Sequence, residues 1–170
     1  MSKKARPSAD TSYILDKQIG FWLRVAMQRH RAIFTNKMTH GVTPIQLATL
    51  AKLLEVGPCA QNHLGKLIYV DPATVKGVVD RLSKRGLLTN HVDQDDRRRR
   101  EVALTEKGRK IANLITTIGS EITAKTMVPL SKSEQKTILA LLKKLADAAR
   151  GDGTPPPLGE EIDETYPRGN

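Results

Sequence analysis

The pattern of apolar and polar positions predicts a chain built mainly of α-helices. Apolar residues recur three and four positions apart through most of residues 12–150, the spacing that lines one face of a helix. Capping residues mark where helices begin: Thr43 precedes a proline, Thr105 opens a later helix, and Ser131 forms a capping box with Glu134. The sequence therefore predicts a succession of helices joined by short connections.

The first predicted helix runs from about residue 12 to Lys37 and is apolar on two sides. We expect its N-cap at Asp10, Thr11 or Ser12. A helix with two apolar strips usually has two neighbours, so we expect one strip to pack on its own domain and the other on a second subunit. The first strip contains Leu15, Ile19, Trp22, Leu23, Ala26, His30, Ile33 and Phe34, and the second contains Ile14, Phe21 and Val25.

The stretch from Asp71 to Thr105 has the pattern of a winged helix. Asp71 can cap a helix whose first position is Pro72, and Gly86 can end that helix. Two strand-like runs follow at 87–92 and 100–104, joined by a charged loop. With a short helical segment before it, at 60–67, this stretch predicts a helix-turn-helix followed by a β-hairpin. The apolar stripe of the second helix is formed by Val75, Val79 and Leu82.

Charge indicates the kind of partner. The 170 residues carry a net charge of +10, and an acidic, Pro- and Gly-rich tail follows Gly151. Residues 1–151 hold 27 Lys and Arg against 13 Asp and Glu, a net charge of +14. Such an excess favours nucleic acid over an acidic small substrate as the partner.

Composition excludes several other classes of protein. No apolar run approaches the ~20 residues of a membrane span, and the N-terminus lacks the apolar core of a secretory signal. We therefore predict a cytoplasmic protein with no membrane partner. Cys59 is the only cysteine, which excludes an internal disulfide and a cysteine-based zinc site. Phosphate-binding loops, dinucleotide-binding glycines and the HExxH motif are absent from the sequence, so we expect no catalytic residues, no metal and no cofactor.

The second helix of a helix-turn-helix is its recognition helix, here the helix that begins at Pro72. The residues that follow it resemble those of the MarR family of bacterial transcription regulators. The family signature is an aspartate, an Asp-Arg-Arg a few residues later, and a Leu-Thr-x-x-Gly that opens a helix. Here these are Asp93, Asp96-Arg97-Arg98 and the run from Leu104 to Gly108, with DRLSKRGLL at 80–88 before them. The resemblance covers roughly residues 12–150, and its dense motif is confined to 71–108.

The resemblance implies a mainly α fold with a small β wing, in which the N- and C-terminal helices form a homodimer interface. Two recognition helices would then lie about one DNA turn apart. The expected organisation is a disordered arm at 1–11, a dimerisation helix at 12–38, a winged helix-turn-helix lobe at 43–104, C-terminal dimerisation helices at 105–150, and a disordered tail at 151–170.

Residues near the start of the recognition helix should face the major groove. We expect Ala73, Thr74, Lys76 and Gly77 to contact base edges or the groove wall, with Lys76 reaching guanine O6 and N7. A purely phosphate contact for Lys76 is the alternative. Further along the helix, the cationic side chains are better placed for phosphates; these are Arg81, Lys84 and Arg85.

Four consecutive arginines, Arg97, Arg98, Arg99 and Arg100, lie at the tip of the predicted wing. The family commonly has small or mixed residues after the second, so the sequence leaves open which arginine enters a groove. We predict Arg97 or Arg98 in the minor groove, and Arg99 and Arg100 on phosphates. Asp95 and Asp96 can hold one guanidinium by bidentate pairing, which leaves the other arginines free. A solvated charge cluster is the alternative for the whole run.

Finally, the resemblance implies a small effector, an aromatic carboxylate or a phenol, that releases the DNA. Within the family, the sequence is similar to the subgroup that represses nicotinate degradation, which implies a hydroxylated pyridine carboxylate. Core packing for Trp22 and structural hydrogen bonds for the histidines are the alternatives. An architectural DNA-binding protein and a protein-interaction module are the competing functions. The candidate pocket residues are Trp22, His30, Phe34, His40 and Tyr69.

Overall fold

The described residues of the computed structural model, 13–92 and 100–148, form six α-helices and a three-stranded sheet. This architecture confirms the predicted mainly α fold with a small β wing. In chain order the elements are α1 (Ile19–Lys37), α2 (Pro44–Val56), β1 (Cys59–Ala60), α3 (Gln61–Leu67), α4 (Pro72–Lys84), β2 (Leu88–Val92), β3 (Arg100–Leu104), α5 (Glu106–Met127) and α6 (Lys132–Ala148). The predicted arm at 1–11, the loop at 93–99 and the tail at 151–170 lie outside the described residues.

The caps predicted for α2, α4, α5 and α6 form, because each supplies an oxygen to backbone N–H groups that the first helical turn leaves unpaired. Thr43 and Gln46 make a reciprocal capping box at α2, and Ser131 and Glu134 make another at α6. Thr105 accepts from the Gly108 N–H at 2.9 Å and so caps α5. Capping chemistry thus sets where these helices begin.

The start of α1 differs from the prediction. The α-helix begins at Ile19 rather than near residue 12, and a single 3₁₀ turn at Leu15–Lys17 precedes it. The Gln18 side chain donates to the Ile14 carbonyl at 3.1 Å, and the Trp22 indole N–H donates to the Asp16 carbonyl at 2.8 Å. These two side-chain hydrogen bonds occupy carbonyls that could otherwise accept α-helical hydrogen bonds, so a 3₁₀ turn forms there in place of a turn of α-helix.

The sheet is antiparallel, with strand order β1–β3–β2. Strands β2 and β3 confirm the predicted hairpin, in a register that pairs Leu88 with Leu104 and Val92 with Arg100. The two-residue strand β1 was not predicted; it pairs Cys59 with Val102 on the free edge of β3. This edge strand joins the turn after α2 to the base of the wing.

One apolar cluster holds the helix-turn-helix and the sheet together. Leu50, Leu64, Val75 and Leu82 are fully buried, and Ile115 from α5 completes the cluster. Val75, Val79 and Leu82 confirm the stripe predicted for α4, and Val78 widens it. A second, smaller cluster lies between α1 and α5 and contains Ile33, Phe34 and Ile122. Helix α5 therefore belongs to both clusters and connects the helix-turn-helix and the sheet to α1.

The first turn of α5 lies directly against the turn that leaves α4. The Thr105 hydroxyl donates to the Gly86 carbonyl at 2.7 Å, and the Thr105 N–H donates to the Leu87 carbonyl at 3.1 Å. A Cβ atom on Gly108 would overlap that Leu87 carbonyl oxygen and lie 2.9 Å from its carbonyl carbon. The glycine of the Leu-Thr-x-x-Gly run is therefore a steric requirement of this backbone contact.

Two helices keep large apolar surfaces exposed. All of α6 is described and none of its residues is buried. The exposed apolar strip of α1 consists of Ile19, Trp22, Leu23 and Met27, so its membership differs from the two strips predicted. In α6 the exposed apolar residues are Ile138, Leu139, Leu141, Leu142 and Leu145. No helix within the described ranges is long and apolar enough to span a membrane.

Replacement of Gly108 by Ala should destabilise the fold by about 3 kcal/mol, because the added methyl group meets backbone that cannot move without displacing β2. Gly77→Ala is the matched control. A Cβ at Gly77 meets only the flexible end of Arg81, at 3.6 Å, so this change should stabilise α4 by about 0.5–1 kcal/mol. Urea unfolding followed by circular dichroism measures both values, and equal midpoints for the two variants would contradict the steric argument.

Candidate nucleic-acid interface

Helix α4 presents its inner side to the core and its outer side to solvent. On the inner side Val75, Val78, Val79 and Leu82 are buried. The outer side holds all six recognition-helix residues predicted from the sequence: Ala73, Lys76, Arg81 and Lys84 are exposed, and Thr74 and Gly77 are half-buried. Within the described part of the chain, Lys76, Arg81 and Lys84 form no ion pair. The outer side is thus a cationic surface on a helix whose opposite side is fixed in the core.

One acidic side chain interrupts this cationic surface. Asp80 is exposed and follows Lys76 by one helical turn, with Lys84 one turn further on. Asp80 is not among the residues that we predicted to lie at the DNA interface, although its spacing from Lys76 is visible in the sequence.

The N-terminus of α4 is held by Asp71. Its Oδ1 atom accepts from the N–H groups of Ala73 at 3.0 Å and Thr74 at 2.9 Å. Hydrogen bonds from the Thr74 side chain and then from its backbone lower the pKa of the Asp71 carboxyl below the ordinary value of 3.8. The Thr74 side chain is half-buried beside this cap.

The C-terminal end of α4 is held by Arg85, which was predicted to bind phosphate. One guanidinium nitrogen, Nη2, donates to the His40 carbonyl at 2.6 Å, and the other, Nη1, lies 3.4 Å from the Gly41 carbonyl and from the Gln46 side chain. These donors are directed at the α1–α2 loop of the same chain, so Arg85 positions the helix instead. Both loop residues have positive φ, 60° at His40 and 55° at Gly41, which points their carbonyls toward Arg85.

The turn between α3 and α4 is tight. The Val70 N–H donates to the Gly65 carbonyl at 2.9 Å, and a Cβ on Gly65 would lie 2.9 Å from the Val70 carbonyl oxygen. Tyr69, within this turn, has φ of 58°, and its hydroxyl donates to Asp147 of α6 at 2.6 Å. On α3 itself, Asn62, His63 and Lys66 are exposed.

Most of the predicted wing contacts lie outside the described residues. Asp95, Asp96, Arg97, Arg98 and Arg99 belong to 93–99, and only the backbone of Arg100 is described, as the first residue of β3. The hairpin strands that carry them are in place next to α4. The assignment of individual wing arginines stays a prediction.

The five candidate effector residues occupy different surroundings. His30 and Phe34 are neighbours on α1 with ring centroids 6.5 Å apart, and Phe34 is buried. Trp22 is 52% exposed and meets Phe21 edge-on, His40 lies in the α1–α2 loop, and Tyr69 is in the helix-turn-helix turn. The contact between His30 and Phe34 brings two of the five together, and the pocket as a whole stays a prediction.

His30 has a defined hydrogen-bond partner. Its Nδ1 atom lies 3.0 Å from the Thr126 hydroxyl, which itself donates to the Ile122 carbonyl at 2.8 Å. Since the Thr126 proton is used in that bond, we assign the hydrogen of the neutral imidazole to Nδ1, which leaves Nε2 as an acceptor. This structural bond is the alternative that the sequence left open for a histidine, and among the described residues it leaves Nε2 without a hydrogen-bond partner.

Cys59 is buried in β1. Burial, and then the nearby charge of Glu101, raise the pKa of its thiol above the ordinary value of 9.0. A thiol that stays protonated is a weak nucleophile, so this environment gives Cys59 a packing role.

Comparison with known proteins gives these features a family context. A model of the MarR family matches residues 40–99. The HTH-type transcriptional repressor NicR of Pseudomonas putida is 38% identical over 158 residues, which cover 90% of this chain and 100% of that protein. A solved structure of a probable transcriptional regulator from Pseudomonas aeruginosa shares 48% identity with a TM-score of 0.73, covering 78% of this chain and 99% of that one.

A second solved structure is that of Bordetella bronchiseptica BpsR, whose DNA binding is regulated by 6-hydroxynicotinic acid. It is 36% identical to this chain with a TM-score of 0.74, and the match covers 79% of this chain and 97% of BpsR.

Asp71→Ala should cost about 1 kcal/mol of stability at neutral pH, through loss of the α4 cap. Because the folded-state pKa of Asp71 is lowered, its contribution is present above 3.8 and is lost as pH falls through the folded pKa. The difference between wild type and Asp71→Ala in thermal unfolding should therefore narrow in acid. Asp71→Ser keeps a cap without a titrating group and serves as the control. A difference that is the same in acid as at neutral pH would contradict the assignment.

Proposed function

The chain belongs to the MarR family of helix-turn-helix transcriptional regulators, and from this premise we propose that it is a repressor that binds a pseudo-palindromic operator as a homodimer and is released by a small aromatic acid. One observation carries the proposal: α4 turns a cationic surface outward, without ion pairs in the described residues, while both of its ends are fixed by hydrogen bonds. A repressor of this kind acts on chromosomal DNA, which places it in the cytoplasm.

Residues in the first two turns of α4 contact the base edges. Thr74 is half-buried in the first turn, where it offers a hydroxyl group to a base edge and a methyl group that suits thymine. Lys76 is exposed one turn from the cap and supplies donors for guanine O6 and N7. Ala73 and Gly77 have little or no side chain, which lets the helix approach the groove closely.

Phosphate binding falls to Arg81 and Lys84, which are exposed at the later turns of α4. The wing arginines provide further DNA contacts, with Arg97 or Arg98 in the minor groove and Arg99 and Arg100 on phosphates. Asp95 and Asp96 orient them. The Arg81 guanidinium lies back along the helix beside Gly77, where a Cβ atom on residue 77 would be 3.6 Å from it. Because Gly77 has no Cβ atom, it leaves room for this position of Arg81.

The second subunit covers the exposed apolar strips of α1 and α6. Trp22 and Leu23 on α1 and Leu141, Leu142 and Leu145 on α6 are each 41–56% exposed in the single chain. Apolar residues repeated at helical spacing on two helices form a surface that suits a self-complementary, two-fold interface. The interface would hold two recognition helices about one DNA turn apart.

The effector that we propose is a hydroxylated pyridine carboxylate, which acts between α1 and the DNA-binding lobe. The similarity to BpsR and to NicR supports this ligand class. In this chain His30 offers an acceptor at Nε2 beside the ring of Phe34, a combination that suits a flat aromatic ring bearing a hydroxyl group. Trp22, His40 and Tyr69 remain the other candidates. A ligand that binds one lobe spacing more tightly shifts the dimer toward it and weakens DNA binding.

The DNA-binding proposal is tested with an operator selected from a random-sequence duplex library. Lys76→Ala should weaken operator binding by about 1–3 kcal/mol and relax specificity at one base pair. Lys84→Ala should weaken binding to all duplexes equally and reduce the salt slope by about 1. Fluorescence anisotropy across a salt series measures both.

Lys132→Ala, at an exposed lysine on the first turn of α6, is the control and should bind as wild type. Sedimentation should show a dimer for every variant. Binding that is indifferent to sequence would favour an architectural role instead, and binding to no duplex would favour a protein-interaction module.

The effector proposal is tested by thermal shift with 6-hydroxynicotinate. At a concentration 100 times the dissociation constant, the ligand should stabilise the protein by about 2.7 kcal/mol and release the operator. Unsubstituted benzoate is the control and should act more weakly, since it lacks the hydroxyl group that His30 would bind. A thermal shift without release of the operator would show that the site is not coupled to DNA binding.

A further inference from the structure

A hydrogen bond joins the last turn of α6 to the turn that precedes the recognition helix. The Tyr69 hydroxyl donates to Oδ1 of Asp147 at 2.6 Å, across 78 positions of sequence. We propose that Tyr69 and Asp147 are a positioning pair, which sets the orientation of α4 for operator binding according to the position of α6. This inference rests on the proposed function, because it assigns the pair a role in DNA recognition.

The backbone at Tyr69 shows that this residue is held in place. Its φ of 58° lies in the left-handed region, which residues with a Cβ atom adopt at an energetic cost and glycine adopts freely. The Tyr69 N–H reaches the Lys66 carbonyl only at 3.4 Å, whereas the next residue, Val70, is buried and bonded to Gly65 at 2.9 Å. A glycine would fit the turn more easily, so the tyrosine is explained by what its side chain binds.

The sequence position of Tyr69 couples it to the recognition helix. Two residues after Tyr69 comes Asp71, which caps α4, and between them Val70 is anchored in the core. A displacement of the Tyr69 backbone therefore reaches the first turn of α4 through two residues with little freedom. That first turn contains Thr74 and leads to Lys76, which are the proposed base contacts.

The other partner is on the helix that is least attached to its own chain. None of the α6 residues is buried, and Gln135 and Asp147 alone are half-buried while the rest are exposed. Gln135 fixes the start of α6 by donating to the carbonyls of Met127 and Leu130. Asp147 fixes the other end through Tyr69. In the proposed dimer the position of α6 is set by the second subunit, so this bond conveys subunit geometry to the helix-turn-helix.

The test uses the full-length protein with Tyr69→Phe, Asp147→Ala and the double variant. Tyr69→Phe removes only the hydroxyl group, and Asp147→Ala removes its acceptor. Each should lower operator affinity about fivefold while leaving binding to scrambled DNA unchanged, because phosphate contacts tolerate a misoriented helix better than base contacts do. The double variant should lose no more than the more affected of the two single variants, because both changes remove the same bond.

Two control variants separate this bond from general effects on the fold. Asp147→Asn keeps an oxygen that accepts from Tyr69 and should bind the operator within about twofold of wild type. Tyr13→Phe changes a described tyrosine that is 76% exposed and should have no effect. Hydrogen exchange provides a second readout: amides at 69–75 should exchange faster in Tyr69→Phe and in Asp147→Ala than in either control variant.

Wild-type operator affinity in the single variants, or effects that add in the double variant, would overturn the proposal. Loss of the effector response with unchanged operator affinity would also overturn it, and would return Tyr69 to the effector pocket. If the wild type bound no operator, the proposed function would fail on its own. Faster exchange at 69–75 in both variants would then still support the mechanical link, and unchanged exchange would overturn it.

Discussion

The close contact between the first turn of α5 and the backbone of Leu87 fixes the arrangement of the whole chain. Gly108 allows the contact, and Thr105 uses both its N–H and its hydroxyl group to hold it. Gly86 and Leu87 connect α4 to β2, and Thr105, which bonds to both of their carbonyls, caps α5. Helix α5 then runs from the core of the DNA-binding lobe to the cluster with α1. The angle between wing, recognition helix and α1 therefore depends on one junction of backbone atoms, where side-chain repacking offers little compensation.

The recognition helix is held differently from an ordinary surface helix. Its apolar side is locked in the core, and each end is bonded to an element outside the helix-turn-helix: Arg85 to the α1–α2 loop, and the turn at Tyr69 to α6. Since α1 and α6 carry the exposed apolar strips, the two attachments lead toward the surface that we assign to the second subunit. Rigid attachment of this kind suits base reading, which requires a defined helix orientation, more than it suits phosphate binding.

Much of this organisation could be predicted from the sequence, because caps, glycines and apolar periodicity act locally. Asp71, Thr105 and the Ser131–Glu134 pair cap the helices as predicted, and Val75, Val79 and Leu82 are buried as their spacing indicates. The predicted start of α1 was wrong by several residues. Side chains donate hydrogen bonds to the carbonyls of Ile14 and Asp16 in a 3₁₀ turn, and the α-helix begins after that turn.

Other features depend on contacts between distant residues, which a single sequence does not reveal. Arg81 and Arg85 are the same type of residue four positions apart, yet the Arg81 side chain is exposed and the Arg85 guanidinium is bound to the α1–α2 loop. The two-residue strand β1 exists only because β3 offers a free edge. The proposed effector pocket is the extreme case, because its candidate residues come from separate elements.

The unburied α6 has a thermodynamic consequence for a regulator at low copy number. In the proposed dimer, the free energy that orders α6 comes from association, so the stability of the folded state depends on protein concentration. Each tenfold dilution removes about 1.4 kcal/mol from that stability. Falling expression would then reduce operator occupancy twice, once through fewer molecules and once through a smaller fraction of chains with α6 in place. Repression by such a protein would respond to its own abundance more steeply than a simple binding curve.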